Sequence, residues 1–321
     1  MELTNQVKDQ LLKLQDKYQS MGQDMNSYLD GLLLSNYLTY WDYIKTDTLL
    51  TLQQPKTDFP DELIFITYHQ ITELYFKLCL HELDQIAHNG PIIESNGHLA
   101  GYHDQLSVDF FIERMQRVNR YFEALIKSFE IMVQGMDPNQ FMRFRMALLP
   151  ASGFQSAQYR MIEFYATDLV QLVDKDFRQQ LNNATIDEMI QHIYWNKGAT
   201  EADSGKKTLT LTQFEKKYIP QFTQMAHQLK DKNVWQQYLK FSHSERMNDS
   251  VIHVLKTFDN YVNVQWPLMH YKSAARYLNK KDHDVPATGG TNWQKYLPPR
   301  FQKRVFYPSL WTESELNAWG T

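Results

Sequence analysis

A single cysteine, Cys79, is all that 321 residues contain, so no disulfide can form within the chain and a thiolate metal cage is impossible. Glycine and proline are scarce, at 12 and 11 residues, which leaves few places to break a regular element. No block of like charge occurs, and 33 basic against 37 acidic residues give a formal charge of -4. That balance carries no electrostatic footprint for nucleic acid or for an anionic membrane surface. No apolar run approaches the ~18 residues of a membrane span, and MELTNQVKDQLLKLQDKYQ has no basic segment followed by an apolar core. A soluble, unprocessed, cytoplasmic protein is expected.

What is present is helical periodicity. Apolar residues recur at i, i+3, i+4 and i+7 over long segments, and 43% hydrophobic content is enough for a sizeable core. The pattern predicts an all-α protein with long helices over 4–22, 61–88, 106–134, 208–230 and 243–279, and shorter ones over 43–53, 138–148, 154–180 and 185–194. Strand signals are negligible. Turn chemistry is dense at 88–103, 148–154, 196–208 and 279–293, but none of these resembles an interdomain linker. One domain over 1–321 is therefore expected, with residues 195–208 as an exposed insertion.

The chain is rich in aromatics, 14% of its residues, and SNYLTYWDYIKTDTLL places Tyr37, Tyr40, Trp41 and Tyr43 within seven positions. Such a cluster fills gaps between helices, covers an oligomer interface, or walls a flat ligand; composition does not choose. Eleven histidines raise the question of metal. No glutamate is followed three residues later by histidine, as a di-iron bundle needs, and His81-Glu82 is followed by Gln85 where a zinc protease needs its second histidine. A cofactor that brings most of its own ligands, such as haem, needs one axial histidine only.

In FITYHQITELYFKLCLHELDQI, residues Phe65, His69, Thr72, Glu73 and Phe76 share one helical face. His69 is then either a core histidine satisfied by one hydrogen bond, with Glu73 as its candidate partner, or a residue facing a pocket. In FMRFRMALLPASGFQSAQYRMIEFYA, Arg143, Arg145 and Arg160 stand among apolar positions, and the PASGFQS turn delivers Ser152 to a fixed place ahead of the next helix. A guanidinium beside an aromatic face suits a carboxylate in a bidentate fork, whereas the bland alternative is a surface salt bridge to Glu163 or Asp168. VPATGGTNW, with two glycines after Thr288, reads as a plain turn or as a close backbone approach to a ligand.

These segments together resemble the tryptophan 2,3-dioxygenase family. The matching pieces are LTYWDYIKTDTLLTLQ (38–53), DELIFITYHQITELYFKLCLHEL (61–83), FRMALLPASGFQSAQYRMIEF (144–164), QWPLMHYKSAARYL (265–278) and ATGG (287–290), in the family's order. The resemblance implies an all-helical homotetramer with one haem b per subunit, ferrous when active, and an N-terminal arm (1–53) exchanged across a subunit interface. It implies oxidation of L-tryptophan by O2 to N-formyl-L-kynurenine, the first step of tryptophan catabolism by the kynurenine route. His270 matches the proximal haem ligand, with His253 as the fallback, and Ser152 is counted with it at the cofactor. His69 matches the distal histidine facing the indole NH, and Phe65 the ring packed beside the substrate. Arg145 matches the carboxylate clamp, Thr288 the residue near the substrate's ammonium and carboxylate, and Tyr40 and Tyr43 the tyrosines lent by a neighbouring subunit.

Three positions depart from the family's pattern. Phe141 stands where most of the family has a tyrosine at the substrate carboxylate. ATGGTNW replaces GTGGSSG and places Thr288 18 residues after His270, so a remodelled closing loop is expected. Pro267, three residues before His270, removes a helical hydrogen bond and is expected to kink that helix. The alternatives to tryptophan oxidation are a haem oxygenase for another indole or aromatic amino acid, and a non-catalytic haem-binding helical protein.

Overall fold

A computed structural model describes residues 3–34, 39–148, 153–198, 206–278, 294 and 297–321. It separates into two compact units, Met1–Gln54 and Pro55–Thr321. The smaller unit holds α1 (Asn5–Ser20), α2 (Met25–Leu34), α3 (Tyr40–Ile44) and α4 (Thr46–Leu49). Helix α1 begins where Thr4 caps the Val7 amide, and none of its residues is buried. Lys45, left-handed at φ 55, ends α3 and starts α4, so the single helix expected over 43–53 is two short ones.

The larger unit is built around α5 (Asp61–Ala87), followed by a small hairpin of β1 (Pro91–Ile93) and β2 (Leu99–Tyr102). Then come α6 (Val108–Ser128), α7 (Glu130–Gln134), α8 (Pro138–Phe144) and α9 (Ala157–Ala166). The last long helices are α10 (Leu209–Leu229), α11 (Asp249–Asn260) and α12 (Trp266–Leu278), the latter two joined by a π-helical turn, Tyr261–Gln265. Helix α6 shows why the pattern folds this way: Phe111, Met115, Val118, Phe122 and Leu125 repeat at alternating steps of four and three, and all are fully buried. They meet Phe76, Cys79, Leu83 and Ile86 of α5 and Val251, Val254, Leu255 and Phe258 of α11 in one core. Truncating a ring such as Phe122 to alanine should cost about 3–5 kcal/mol.

Three expectations are corrected. The hairpin is a real strand pair, with Ile92 opposite Gly101 and Gly97 at φ 83 in its turn; Asn96-Gly97 between short apolar runs is its signal. The helix expected over 154–180 is three pieces, because Thr167 is fully extended and Asp168 and Asp174 each start a new turn. The 195–208 segment is not exposed at its ends: Trp195 is 2% exposed against Phe164, Phe214 and Phe222, and Thr208, which caps α10, is 8% exposed. An indole between two helices excludes water better than it could at the surface. Residues 199–205 lie outside the described set.

Candidate functional site

Two histidines are prepared in the same way by the helices that carry them. On α5, His69 Nδ1 lies 2.7 Å from the Phe65 carbonyl one turn back. On α12, His270 Nδ1 lies 3.1 Å from the Trp266 carbonyl one turn back. A carbonyl oxygen can only accept, so the neutral ring carries its proton on Nδ1 and turns an Nε2 lone pair outward. Burial keeps both rings neutral. It lowers the His69 pKa below the ordinary 6.5, and it lowers that of His270 to about 4, where the Arg160 guanidinium, and His69 whenever it is protonated, further disfavour a second positive charge. The two imidazoles therefore share one electrostatic neighbourhood, although 200 positions of sequence separate them.

Aromatic rings bind the two helices into that neighbourhood. Phe129 packs edge-on against Tyr68 at 5.8 Å, Trp266 at 5.0 Å and His270 at 4.6 Å. On the His69 side, Phe65 lies 4.1 Å from the imidazole and meets Phe144 at 5.8 Å and Phe141 at 6.3 Å. Phe141 also rests on Tyr277 at 4.6 Å. Directly after Phe144 the chain tightens into the 3-10 turn Arg145–Leu148, which holds Arg145 at 5% exposure with its pKa lowered by burial. Arg143, two residues earlier, is exposed and lies over the Phe59 ring. His69, Phe65 and Phe141 thus belong to one aromatic cluster on α5 and α8; in the segment that carries Phe141, Arg145 is buried and Arg143 is exposed.

Helix α9 contributes a buried polar layer. Ser156 caps its start, and Arg160 and Glu163 are 8% and 0% exposed. Arg160 pairs with Glu163 at 3.6 Å and donates to the Tyr194 hydroxyl, so the surface salt bridge considered above is real in its partner but lies inside the protein. Asp168, the other candidate, accepts from Asn233 and Gln236 instead. Arg304, from the C-terminal segment, completes the layer: it pairs with Glu163 at 2.5 Å and donates to Tyr159, Tyr194 and Asn263. Sequence reasoning missed Arg304, which lies outside every recognised motif. Its signal is the arginine inside the RVFYP apolar run.

The tryptophan 2,3-dioxygenase family profile matches residues 32–197, just over half of the chain. The chain belongs to the tryptophan 2,3-dioxygenase family. A tryptophan 2,3-dioxygenase of Bacillus thuringiensis subsp. konkukian (strain 97-27) is 29% identical over 280 residues, covering 85% of this chain and 91% of the relative. One from Pseudomonas fluorescens is 28% identical over 291 residues, covering 86% and 89%. One from Ruegeria sp. (strain TM1040) reaches 41% over 130 residues, 40% of each chain.

Within this family member, several expected residues can be placed and others cannot. His69 bonds to the Phe65 carbonyl and not to Glu73, whose carboxylate takes the Gln158 amide at 2.8 Å. The reason is geometric, since an Nδ1 proton reaches back along its own helix. His253 is exposed, on the side of α11 beside Gln116 and Arg120, and is poorly suited to hold a cofactor. Tyr40 and Tyr43 lie in the 1–54 unit, each 72% exposed. Ser152 and Thr288 lie outside the described residues. Among the described residues no cluster of three or more His, Cys, Asp or Glu side chains could hold a metal.

The hydrogen bond that Pro267 is expected to remove is accommodated by a change in the helix just ahead of it. The helix continues through it, and the π turn just before it shifts the ladder, so that the Trp266 N–H bonds to the Tyr261 carbonyl five residues back.

Proposed function

We propose that this chain is a haem-dependent dioxygenase that inserts both atoms of O2 across the C2–C3 bond of the L-tryptophan indole, giving N-formyl-L-kynurenine. The reaction balances without an external reductant, because both oxygen atoms remain in the product. Family membership supports the reading, and the observation that carries it is the pair of neutral, buried imidazoles His69 and His270, each turned by a backbone carbonyl to present Nε2.

The residues present fit haem. A porphyrin brings four nitrogen ligands, so one imidazole with a free Nε2 and an acceptor on Nδ1 is what the protein must add. His270 meets that requirement, and its low proton affinity keeps the nitrogen available at neutral pH. Ser152 is assigned to the same cofactor. Haem bound there would supply the oxidising chemistry.

The chain's own residues orient the substrate. His69, neutral and protonated at Nδ1, accepts the indole N–H at Nε2 and thereby sets which edge of the indole faces the oxygen. Phe65 and Phe141 hold the flat ring, and the buried Arg145 takes the carboxylate in a fork. Thr288 is assigned to the substrate's ammonium and carboxylate. Water is kept out by the surrounding aromatic side chains, which strengthens each polar contact.

A homotetramer, with Tyr40 and Tyr43 lent to a neighbour's pocket, belongs to the same proposal. Apolar side chains exposed in the 1–54 unit support it, with Leu32 at 71% and Leu33 at 83%. No described helix is long and apolar enough to cross a membrane; we place the enzyme in the cytoplasm. Oxidation of another indole is the second reading, favoured by Phe141, which offers no hydroxyl to the carboxylate.

The test is the absorption spectrum of the reduced, haem-loaded protein with and without L-tryptophan, followed by product analysis after adding O2. A Soret band that shifts with L-tryptophan and formation of N-formylkynurenine are expected. Haem binding with no response to L-tryptophan would refute the substrate, and failure to bind haem would refute the enzyme.

A further inference from the structure

The π turn between α11 and α12 leaves a backbone carbonyl that the helix cannot satisfy. In a ladder running from i to i+5, the Val262 carbonyl faces the N–H of residue 267, and residue 267 is proline, which has none. Val262 is fully buried, so water cannot serve as the donor. Two side chains from distant segments do: the Tyr159 hydroxyl of α9 donates to the Val262 carbonyl at 3.1 Å, and Arg304 Nη2 donates to it at 3.3 Å. Arg304 Nη2 also donates to the Tyr159 oxygen at 2.8 Å, so the two donors are themselves linked.

We propose that Tyr159 and Arg304 are positioning residues for His270: they replace the donor that Pro267 lacks, and so hold the π turn that aims the imidazole. The inference rests on the reading of His270 as the cofactor's ligand. The connection is short. Trp266, the first residue past the turn, gives its N–H to Tyr261 and its carbonyl to His270 Nδ1. Any relaxation of the turn moves that carbonyl, and the ring orientation follows it. The arrangement also gives the buried charge layer of α9 a use: Glu163, fully buried, holds Arg304 at 2.5 Å, and Arg304 reaches the turn.

The test is a double-mutant cycle in the full-length chain with Tyr159→Phe and Pro267→Ala. Tyr159→Phe removes the hydroxyl and keeps the ring, whereas Pro267→Ala returns an N–H at the position facing Val262. Two readouts are taken: deuterium exchange of the 259–272 backbone in haem-free protein, and the rate of haem transfer from loaded protein to apomyoglobin. Tyr159→Phe should speed both by roughly 2- to 10-fold, the scale of one net hydrogen bond. In the double variant the effect of Tyr159→Phe should fall to less than about 2-fold, because the backbone now supplies its own donor. Arg304→Lys, which keeps a charge for Glu163 but cannot span Asn263, Tyr159 and Val262, should behave like Tyr159→Phe.

Independent effects in the cycle would overturn the proposal, since a merely structural tyrosine is not rescued by an amide at 267. Coupling in exchange without coupling in haem release would overturn the link to His270. Haem release unaffected by His270→Ala would instead overturn the ligand assignment on which the inference rests.

Discussion

Arg145→Ala isolates the substrate-recognition argument, because the neighbouring Arg143 serves as an internal control. Arg145 is 5% exposed, and Arg143 is exposed over the Phe59 ring. A desolvated guanidinium that meets a carboxylate makes two charge-assisted hydrogen bonds, and truncating one partner of such a buried pair costs ~2–5 kcal/mol. That corresponds to a loss in kcat/KM of roughly 30-fold to several thousand-fold. An exposed arginine contributes at most about 1 kcal/mol, so Arg143→Ala should lose less than about 5-fold.

The diagnostic comparison is L-tryptophan against tryptamine, which has the same indole and no carboxylate. The intact enzyme should discriminate strongly, and Arg145→Ala should lose nearly all of that discrimination while its tryptamine rate changes little. Arg145→Lys should not restore it, since an ammonium cannot reproduce the planar fork. Steady-state kinetics on both substrates with all three variants measures this. An Arg145→Ala enzyme that still strongly prefers L-tryptophan would show that the carboxylate is bound elsewhere.

His270→Ala should abolish or greatly weaken haem retention with the helical circular dichroism intact, whereas His253→Ala should retain haem; the reverse would refute the assignment. Protonating His69 places a proton on Nε2 and removes the acceptor for the indole N–H; because its pKa is lowered, that loss should appear in kcat/KM only as pH falls below 6.5, and an inflection from this residue above 6.5 would contradict it. Phe141 is half-buried against Tyr277, and Phe141→Tyr should tighten L-tryptophan binding by roughly 2- to 10-fold through one added hydrogen bond, read by spectral titration. Deleting residues 1–45 should weaken self-association and substrate affinity together, measured by sedimentation and kinetics; a fully active monomer would rule out the exchanged arm.

The long helices were legible because one physical signal dominates them. On α6 and α5 the apolar stripe dominates the buried face, and the helices start after Ser107 and Pro60, where capping or proline chemistry is explicit. Legibility fails where a local pattern is overruled by a distant partner. The stretch 154–180 keeps its helical spacing, yet it is cut at Thr167, whose hydroxyl donates to the Phe306 carbonyl 139 positions away. Trp195 sits in a polar, lysine-rich stretch and is nonetheless buried by rings from α9 and α10. Neither partner can be found by scanning a window of sequence.

The same distinction separates the two halves of the site. His69 and Arg145 could be singled out because each stands among apolar residues on its own helix or turn, where a polar group needs a reason, whereas Phe65 was marked only by the family resemblance. For Arg304 the local signal, an arginine at the head of the RVFYP run, marks a buried charge and says nothing of what it holds. Its role depends on a proline that breaks a helical ladder at 267, on a turn that widens to absorb the break, and on a carbonyl at 262 that is then stranded in the core. Each step is ordinary backbone chemistry, and each is visible only once α9, the π turn and the C-terminal segment lie side by side. Pro267 therefore marks the place where a sequence rule was right about cost and incomplete about remedy: the missing hydrogen bond is real, and its replacement comes from Tyr159 and Arg304, more than 35 positions away in either direction.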